Sequence, residues 1–561
     1  MKKTWFKELS VYQIWPRSFC DGNGDGIGDL KGVLGKLDYI KSLGVDAIWF
    51  SPLYVSPQKD YGYDIADYRN IAPEYGTMDD FKAVLKGAHA RGLKVVMDLV
   101  VNHTSDQHEW FKKSAAGDPK YKDYYIWRPG KGKDGKKFPN NWMATFPGDG
   151  WQWNEQRGEY YLHLFAVEQP DLNHDNPAVR EEVKSIMRFW LDMGVDGFRE
   201  DVITYISKRE GLPNGFPLPV MRGMEHYSPG PNIHKYLLEY RQVLKDYDAF
   251  QLGEAPMMTP ENALKYITEG DNQQLDMMFQ FQTMEADCFL ISYIRTKFNL
   301  LKLKRVYKNW QTKLYGKAWN TNYLENHDQP RIISRYGDEK NYRVESGKAL
   351  ATMYTFMSGT HFIYQGQEIG MTDYPFKDWS DFTDVATFSA KRLMEKTHLF
   401  SKKKLFENCA YAARDNARTP VQWNAEENAG FTTGTPWFHV NPNYKDINVA
   451  AAEADEDSLL NYYRAILALR KQYKDAAIYG RYEEKLGRNK HIMAYDKIAD
   501  DGSRLTVIIN LSSKTVSARG ARKCVPKGAV RLIGTYKWSL ADMMKPYEAH
   551  VYYTAAPQAK Q

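Results

Sequence analysis

The stretch Phe81-Lys82-Ala83-Val84-Leu85-Lys86-Gly87-Ala88-His89-Ala90-Arg91-Gly92 runs directly into Leu93-Lys94-Val95-Val96-Met97-Asp98-Leu99-Val100-Val101. The first part reads as a helix over 81–91 that Gly92 ends, and the second as a dense apolar strand. This alternation of helix and strand points to parallel strands joined by helical crossovers. The rhythm extends outward in both directions. Ser10–Pro16 and Asp46–Leu53 read as strands upstream, and Val195–Asp201, Ala249–Glu254, Asp276–Gln280, Asn320–Leu324 and His361–Tyr364 downstream. Together they make eight runs, which favours a closed (β/α)8 barrel of the α/β class over an open sheet.

Two segments break the rhythm. Residues 104–169 are irregular and rich in Gly, Pro, Trp and Lys, and Asp373 to about Glu426 is a second irregular segment after the eighth strand. From about Ile478 short alternating strands take over, such as Arg504–Leu511 and His550–Thr554. The expected organisation is a barrel over 1–103 and 170–477, an inserted domain over 104–169, and an all-β sandwich domain over 478–561. A length of 561 residues agrees with two or three domains.

Composition excludes several functions. The net charge is +6 from 76 basic and 70 acidic residues. The basic runs Lys131–Lys137 and Lys402–Lys404 are short and read as solvated loops, so no nucleic-acid partner is expected. No stretch of about 18 apolar residues exists, so no membrane partner is expected. Met1–Ser10 lacks an apolar segment of the secretory type. Cys20, Cys288, Cys409 and Cys524 form no CxxC pair, which argues against a zinc site or a disulfide framework. A cytoplasmic monomer is the expectation. Aromatics make up 14%, including 15 Trp and 39 Tyr. That suits sugar binding, although core packing alone explains it as readily.

In such a barrel, chemistry sits where strands end. Asp201 ends Gly197-Phe198-Arg199-Glu200-Asp201, Glu254 ends Gln251-Leu252-Gly253-Glu254, and Asp328 ends Glu325-Asn326-His327-Asp328. Strand residues alternate faces, so Arg199 and Asp201 share one. The cation should keep Asp201 ionised and lower its pKa, while the apolar neighbours of Glu254 should keep it protonated. These are the two carboxyl groups of a retaining glycosidase. Any one of these acids alone would more commonly be a cap or a surface ion pair. Three at strand ends, with His103 and His327 beside them, are harder to dismiss.

Asp98-Leu99-Val100-Val101-Asn102-His103, with the Asp201, Glu254 and Asp328 motifs, resembles the four signatures of the α-amylase superfamily, glycoside hydrolase family 13. The resemblance runs from about Trp5 to the C-terminus. It implies Asp201 as nucleophile, Glu254 as acid then base, and Asp328 as the holder of sugar hydroxyls and stabiliser of the transition state. His103, Arg199 and His327 complete the subsite for the glucose ring.

Asp60-Tyr61-Gly62-Tyr63-Asp64 and Asn416-Ala417-Arg418-Thr419-Pro420 resemble motifs of the family's exo-acting glucosidases. The resemblance implies that Asp60 and Arg418 pair and close the pocket, and that Tyr63 stacks on the sugar. Without it, Asp60 is a turn residue and Arg418 a surface cation. Gln169-Pro170-Asp171-Leu172-Asn173 resembles the signature of the oligo-1,6-glucosidase subgroup, and Val202 matches its 1,6-acting members. The implied activity is removal of terminal α-1,6-linked glucose from isomaltose and short isomalto-oligosaccharides, with some α-1,4 activity. Three residues depart from the pattern: His174 for a frequent Trp, Glu200 for an apolar residue, and Gln367 for a frequent Glu.

Asp21-Gly22-Asn23-Gly24-Asp25-Gly26-Ile27-Gly28-Asp29 places oxygen donors at every second position, like the first part of an EF-hand loop. It lacks the Glu of the twelfth position and paired helices. The resemblance implies a structural calcium or magnesium ion held by Asp21, Asn23, Asp25, Asp29 and the carbonyl of Ile27, with no organic cofactor. An Asx-rich turn without metal is the plainer reading. Sucrose isomerases and trehalose-6-phosphate hydrolases of the same superfamily are alternatives. The first would need an arginine- and aspartate-rich loop not seen around Leu290–Arg295, and the second a phosphate grip. A non-catalytic transporter subunit would need a membrane helix and would lack the acids.

Overall fold

The computed structural model describes residues 2–557 except 147, 290, 399 and 539. Leu290 and the expected end of the C-terminal domain, 558–561, therefore lie outside the described residues. Eight parallel strands form one sheet: β1 (Ser10–Ile14), β2 (Ala47–Phe50), β3 (Lys94–Leu99), β4 (Gly197–Glu200), β5 (Phe250–Glu254), β6 (Met277–Phe279), β7 (Thr321–Asn322) and β8 (Thr360–Tyr364). Their spatial order is β6-β5-β4-β3-β2-β1-β8-β7, the order of a barrel wound once around. Register runs Val11↔Ala47↔Lys94 on one side of β1 and Ser10↔His361 on the other. Thr321 Oγ1 donates to the Met278 carbonyl at 3.0 Å and links β7 to β6 across the seam.

All eight strands predicted from sequence are present, and all but the last, which begins one residue early at Thr360, are shorter than their apolar runs. Asn320–Leu324 contributes only Thr321–Asn322. The helix expected over 81–91 begins earlier, at Met78, because Thr77 and Asp80 form a reciprocal capping box.

Between β3 and the helix Pro177–Met193 the chain forms a helix, Glu109–Ala115, and a three-stranded antiparallel sheet. In that sheet Glu159–Leu162 lies between Trp127–Arg128 and Trp151–Asn154. Leu172 N–H donates to the Asn102 carbonyl at 2.9 Å, so the segment leaves and rejoins the barrel at one place. Residues 373–426 are not simply irregular. They hold the helices Val385–Thr397 and Lys402–Ala412. The Lys402–Lys404 run is solvated as expected, but it is the first turn of a helix capped by Ser401, not a loop. The last part of the chain is an antiparallel sheet of β9 (Arg481–Lys485), β10 (Ile492–Ile498), β11 (Arg504–Asn510), β12 (Val530–Gly534) and β13 (Ala549–Thr554), in the order β9-β10-β11-β13-β12. A two-stranded pair, Val516–Ser517 with Met543–Met544, accompanies it. Among the described residues no helix is long and apolar enough to cross a membrane.

Candidate active site

Three adjacent strands deliver their end residues to one guanidinium. Arg199 Nη1 lies 2.7 Å from Asp98 of β3 and 2.7 Å from Asp201 after β4, and Nη2 lies 2.7 Å from Glu254 of β5. The pleat makes this possible: Arg199 and Asp201 share the inward face, as the sequence reading expects. Three carboxyls around one buried cation cannot all carry charge without cost. Burial, opposed by Arg199, pushes Asp98 up to about 6. It pushes Asp201 up to about 7 and Glu254 up to about 7, and Asp328 adds to both shifts. The expectation of a lowered Asp201 is therefore corrected, because burial and the neighbouring carboxylates outweigh the arginine.

Val202 turns the chain out of β4 with φ 36°, a left-handed conformation that a β-branched residue rarely adopts. The turn aims the Val202 N–H at Glu254 Oε2, 3.1 Å away. Such a conformation costs on the order of 1–3 kcal/mol and collects at functional sites.

Asp328 stands opposite. Burial would raise it, but His327, Arg414 and Arg418 hold it well below the usual carboxylate range. His327 Nε2 lies 3.1 Å from Asp328 Oδ2 and 2.6 Å from the Tyr63 hydroxyl, while Gln13 Nε2 lies 2.7 Å from Nδ1. Tyr63 also donates to Asp98 at 3.0 Å. His103 Nε2 lies 3.1 Å from the Tyr63 carbonyl and 3.2 Å from Gln169 Nε2, and burial lowers its pKa.

These groups border a pocket of about 200 Å³. That is small beside the ~300–1,000 Å³ of sites for drug-sized ligands, and it suits one sugar ring. Asp60, Tyr63, His103, Asp201, Val202, Glu254 and Asp328, all singled out from sequence, line it. Arg199, His327 and Arg418 are buried one layer behind. The expected Asp60–Arg418 pair is not formed. Arg414 Nη2 lies 2.8 Å from Asp60 Oδ1, whereas Arg418 bonds Asp328 at 3.1 Å and the His327 carbonyl at 3.2 Å. The 3-10 turn Arg414–Ala417 aims the first arginine into the pocket, over the Phe146 ring, and tucks the second beneath it against Trp15. Sequence reasoning missed Arg414, four residues before the arginine it chose. It also missed the apolar walls Phe146, Phe165, Pro256 and Phe281.

Two of the three departures from the family pattern are satisfied. His174 bonds the Tyr240 hydroxyl and the Val101 carbonyl, each at 2.7 Å, and Gln367 donates to Tyr354 at 3.0 Å and Tyr463 at 2.9 Å. Glu200 is not. It is fully buried, neither carboxyl oxygen has a partner among the described residues, and burial pushes it up to about 8.

The Asp21–Asp29 loop follows β1 and lies outside the pocket. Asp21 accepts N–H groups of Asn23, Gly24 and Gly26, and Asp25 accepts that of Ile27. Asp29 caps the next helix through Oδ1, and its buried Oδ2 has no partner. Among the described residues no three His, Cys, Asp or Glu groups converge as a metal cluster. The donor set nonetheless fits a hard cation: the side chains are all oxygen donors, and the orphaned Asp29 oxygen lacks a positive partner.

The family model for the alpha-amylase catalytic domain matches residues 13–480. The oligo-1,6-glucosidase of Parageobacillus thermoglucosidasius is 48% identical over 99% of this chain and 100% of its own length. The trehalose-6-phosphate hydrolase of Bacillus subtilis is 42% identical over 99% of each chain. The crystal structure of isomaltulose synthase from Klebsiella sp. LX3 superimposes with a TM-score of 0.93 at 39% identity, covering 99% of this chain and 100% of that one. The chain belongs to the alpha-amylase family and is a glycoside hydrolase.

Proposed function

We propose that the enzyme removes terminal α-1,6-linked glucose from isomaltose and short isomalto-oligosaccharides, with retention of configuration and some α-1,4 activity. The observation that carries this reading is the Asp60–Arg414 pair at the wall of a one-sugar pocket. A wall there admits a chain end and excludes a chain interior. The name of the relative at 48% identity supports the linkage. In this reading Asp201 attacks the anomeric carbon while Glu254 protonates the leaving oxygen. Glu254, now a base, then takes a proton from the water that releases glucose. Asp328, held anionic, grips ring hydroxyls and favours the cationic transition state. The trehalose-6-phosphate alternative needs a free cation for the phosphate. Among the described residues lining the pocket Arg414 is the one Arg or Lys, and Asp60, Asp328 and Asp384 already engage it. Hydrolysis of isomaltose, maltose, sucrose and trehalose-6-phosphate, measured side by side, tests the reading. Faster turnover of any of the last three overturns it.

The same reading gives the Asp21–Asp29 loop a structural calcium or magnesium ion, held by Asp21, Asn23, Asp25, Asp29 and the Ile27 carbonyl, which pins the exit of β1. It also places the protein in the cytoplasm as a monomer. Cys20, Cys288, Cys409 and Cys524 are all free thiols, which suits a reducing compartment.

A further inference from the structure

A second cavity lies at the end of the barrel where strands begin, opposite the acids. It holds about 280 Å³, against about 200 Å³ for the catalytic pocket. Trp319 and Asn320 enter it just before β7, and Ser358 just before β8. Tyr479 and Asp500 close it from the side of the C-terminal domain, Tyr479 ahead of β9 and Asp500 in the turn between β10 and β11. The cavity therefore sits at a junction of two domains, a common place for a small-molecule site.

Rings supply much of its wall. Trp310 and Trp319 are buried beneath it, and their indole N–H groups donate elsewhere, to Gln282 Oε1 at 2.9 Å and to Thr360 Oγ1 at 3.0 Å. The indoles are thus fixed and offer the cavity only their carbon faces. Tyr479 lies 5.9 Å from Trp319, and both it and Tyr315 are half-buried, which leaves ring area open to a ligand. Asn320 is 6% exposed, and its Oδ1 has no partner. Among the described residues lining the cavity it is the one buried side-chain polar atom left unpaired. An orphaned acceptor in an apolar wall is costly until a ligand brings a donor to it.

The lining narrows the ligand. An anion would meet Asp500 and find Lys3 already paired with Asp475 at 2.7 Å. A cation would compete with Lys3, whose ammonium sits 4.9 Å from the centre of the Tyr479 ring. A purely apolar molecule would leave Asn320 Oδ1 as it is. A neutral ring with C–H faces and hydroxyl donors answers both walls, its faces on the aromatics and a hydroxyl on the amide oxygen. We propose that this cavity is a second, non-catalytic site for a free hexose, and that the hexose is the glucose which the catalytic pocket releases. The choice of glucose rests on the glucosidase reading above, whereas the hexose chemistry rests on the cavity alone. Bound here, glucose bridges the barrel and the C-terminal domain, so the product steadies the fold without competing with substrate.

Equilibrium dialysis with radiolabelled glucose tests this in the wild type, Tyr315→Ala and Asn320→Leu. The wild type should bind a glucose in each cavity, the second with a Kd of about a millimolar. Tyr315→Ala should weaken that second binding about ten-fold, the scale of one lost contact in a pocket. Asn320→Leu keeps the volume and removes the orphaned acceptor. It should abolish the second binding while the sugar-free protein melts no lower than wild type. Both variants should keep kcat and KM for isomaltose within about two-fold, because neither residue borders the catalytic pocket. Glucose should also raise the melting temperature of the wild type more than that of either variant. Tyr315 is half-buried, so its variant carries the test if Asn320→Leu does not fold. A wild type that binds glucose in the catalytic pocket alone, or a second binding that Tyr315→Ala leaves intact, overturns the proposal. If the glucosidase reading fails instead, the enzyme frees no glucose from isomaltose or maltose, and the glucose that remains bound is the one sensitive to Tyr315→Ala.

Discussion

Arg414 reaches Asp60 with Nη2 at 2.8 Å and Asp328 with Nη1 at 3.3 Å, so one guanidinium ties the wall of the pocket to one of its three acids. The two anions would otherwise repel. Removing Arg414 leaves Asp60 without its ion-pair partner in a water-poor site, which typically costs about 2–5 kcal/mol, whereas removing Asp60 leaves Arg414 held by Asp328 and Asp384. Arg414→Ala should lower kcat/KM on isomaltose by about a hundred-fold or more, by the same conversion, and Asp60→Ala should lower it by less. The double variant should be no worse than the poorer single one, because both remove one interaction. Additive losses in that cycle would mean that the residues act separately. Arg418→Ala differs in kind. Its side chain is wholly buried behind the pocket, so the protein should lose thermal stability along with activity.

How far the sequence could be read follows from how local each signal is. Asp201 and Glu254 are legible because each ends or directly follows an apolar strand that is contiguous in the chain, and Asp328 because its motif follows the short β7 by a few residues. The choice between Arg414 and Arg418 is not local. Both lie in one short turn, and only the packing of that turn against Trp15 and Phe146 decides which arginine faces the sugar. The direction of the Asp201 shift escaped for a similar reason. Arg199 is its neighbour in sequence, but Asp98 and Glu254, which share that arginine, arrive from other strands. The helices in 373–426 were hidden because polar and Lys-rich turns cover their solvent sides.

Asp201 and Glu254 interact through Arg199, and both rise to about 7 from usual values of 3.8 and 4.5. Catalysis needs the pair to hold one proton, on the acid. It should therefore titrate as a unit and give a narrow bell in kcat/KM against pH, centred near neutrality. A flat plateau several pH units wide would contradict this picture of the free enzyme. Asp201→Ala and Glu254→Gln should each retain less than about a hundredth of turnover while remaining folded. α-Glucose should be the first anomer seen by NMR, and β-glucose first would sink the double displacement.

Glu200 offers a pH test away from the site. Its carboxyl is raised from 4.5 to about 8, so the folded protein holds this proton more tightly than the unfolded chain. Its contribution to stability is full below pH 4.5 and is lost as pH climbs through about 8. Glu200→Gln keeps the shape and removes the titration. The melting temperatures of wild type and variant should diverge between pH 5 and 8, the variant becoming the more stable. Parallel curves across that range would show that the carboxyl finds a partner or water in solution.

If the Asp21–Asp29 loop holds a divalent cation, chelation should lower the melting temperature by about 3–8 °C, and added calcium or magnesium should restore it. Asp21→Ala should abolish the response. Turnover well below the melting range should hardly change, because the loop does not border the pocket. A melting curve indifferent to both chelator and metal would leave the loop an Asx-rich turn.

Val202 decides the linkage question because its backbone and its side chain do different things. The backbone, at φ 36°, directs its N–H to Glu254. The side chain lines the pocket and packs into the same cluster as Tyr205 and Tyr227. A 1,4-linked acceptor leaves through a ring hydroxyl and brings its bulk against those methyls. A 1,6-linked one leaves through an exocyclic oxygen, and its extra rotatable bond lets the ring swing clear. Val202→Ala keeps a Cβ, and so much of the backbone's strain, but clears the space. It should raise kcat/KM for maltose relative to isomaltose by about ten- to a hundred-fold, the usual scale of a small steric difference. Val202→Gly removes the space and the strain together. If the ratio answers to space, both variants should shift it alike, and the glycine variant should differ mainly in how firmly Glu254 is held, read in the alkaline limb of the pH profile. A substrate ratio that stays put while stability falls would make Val202 a packing residue only, and the preference for the 1,6 linkage would need another origin.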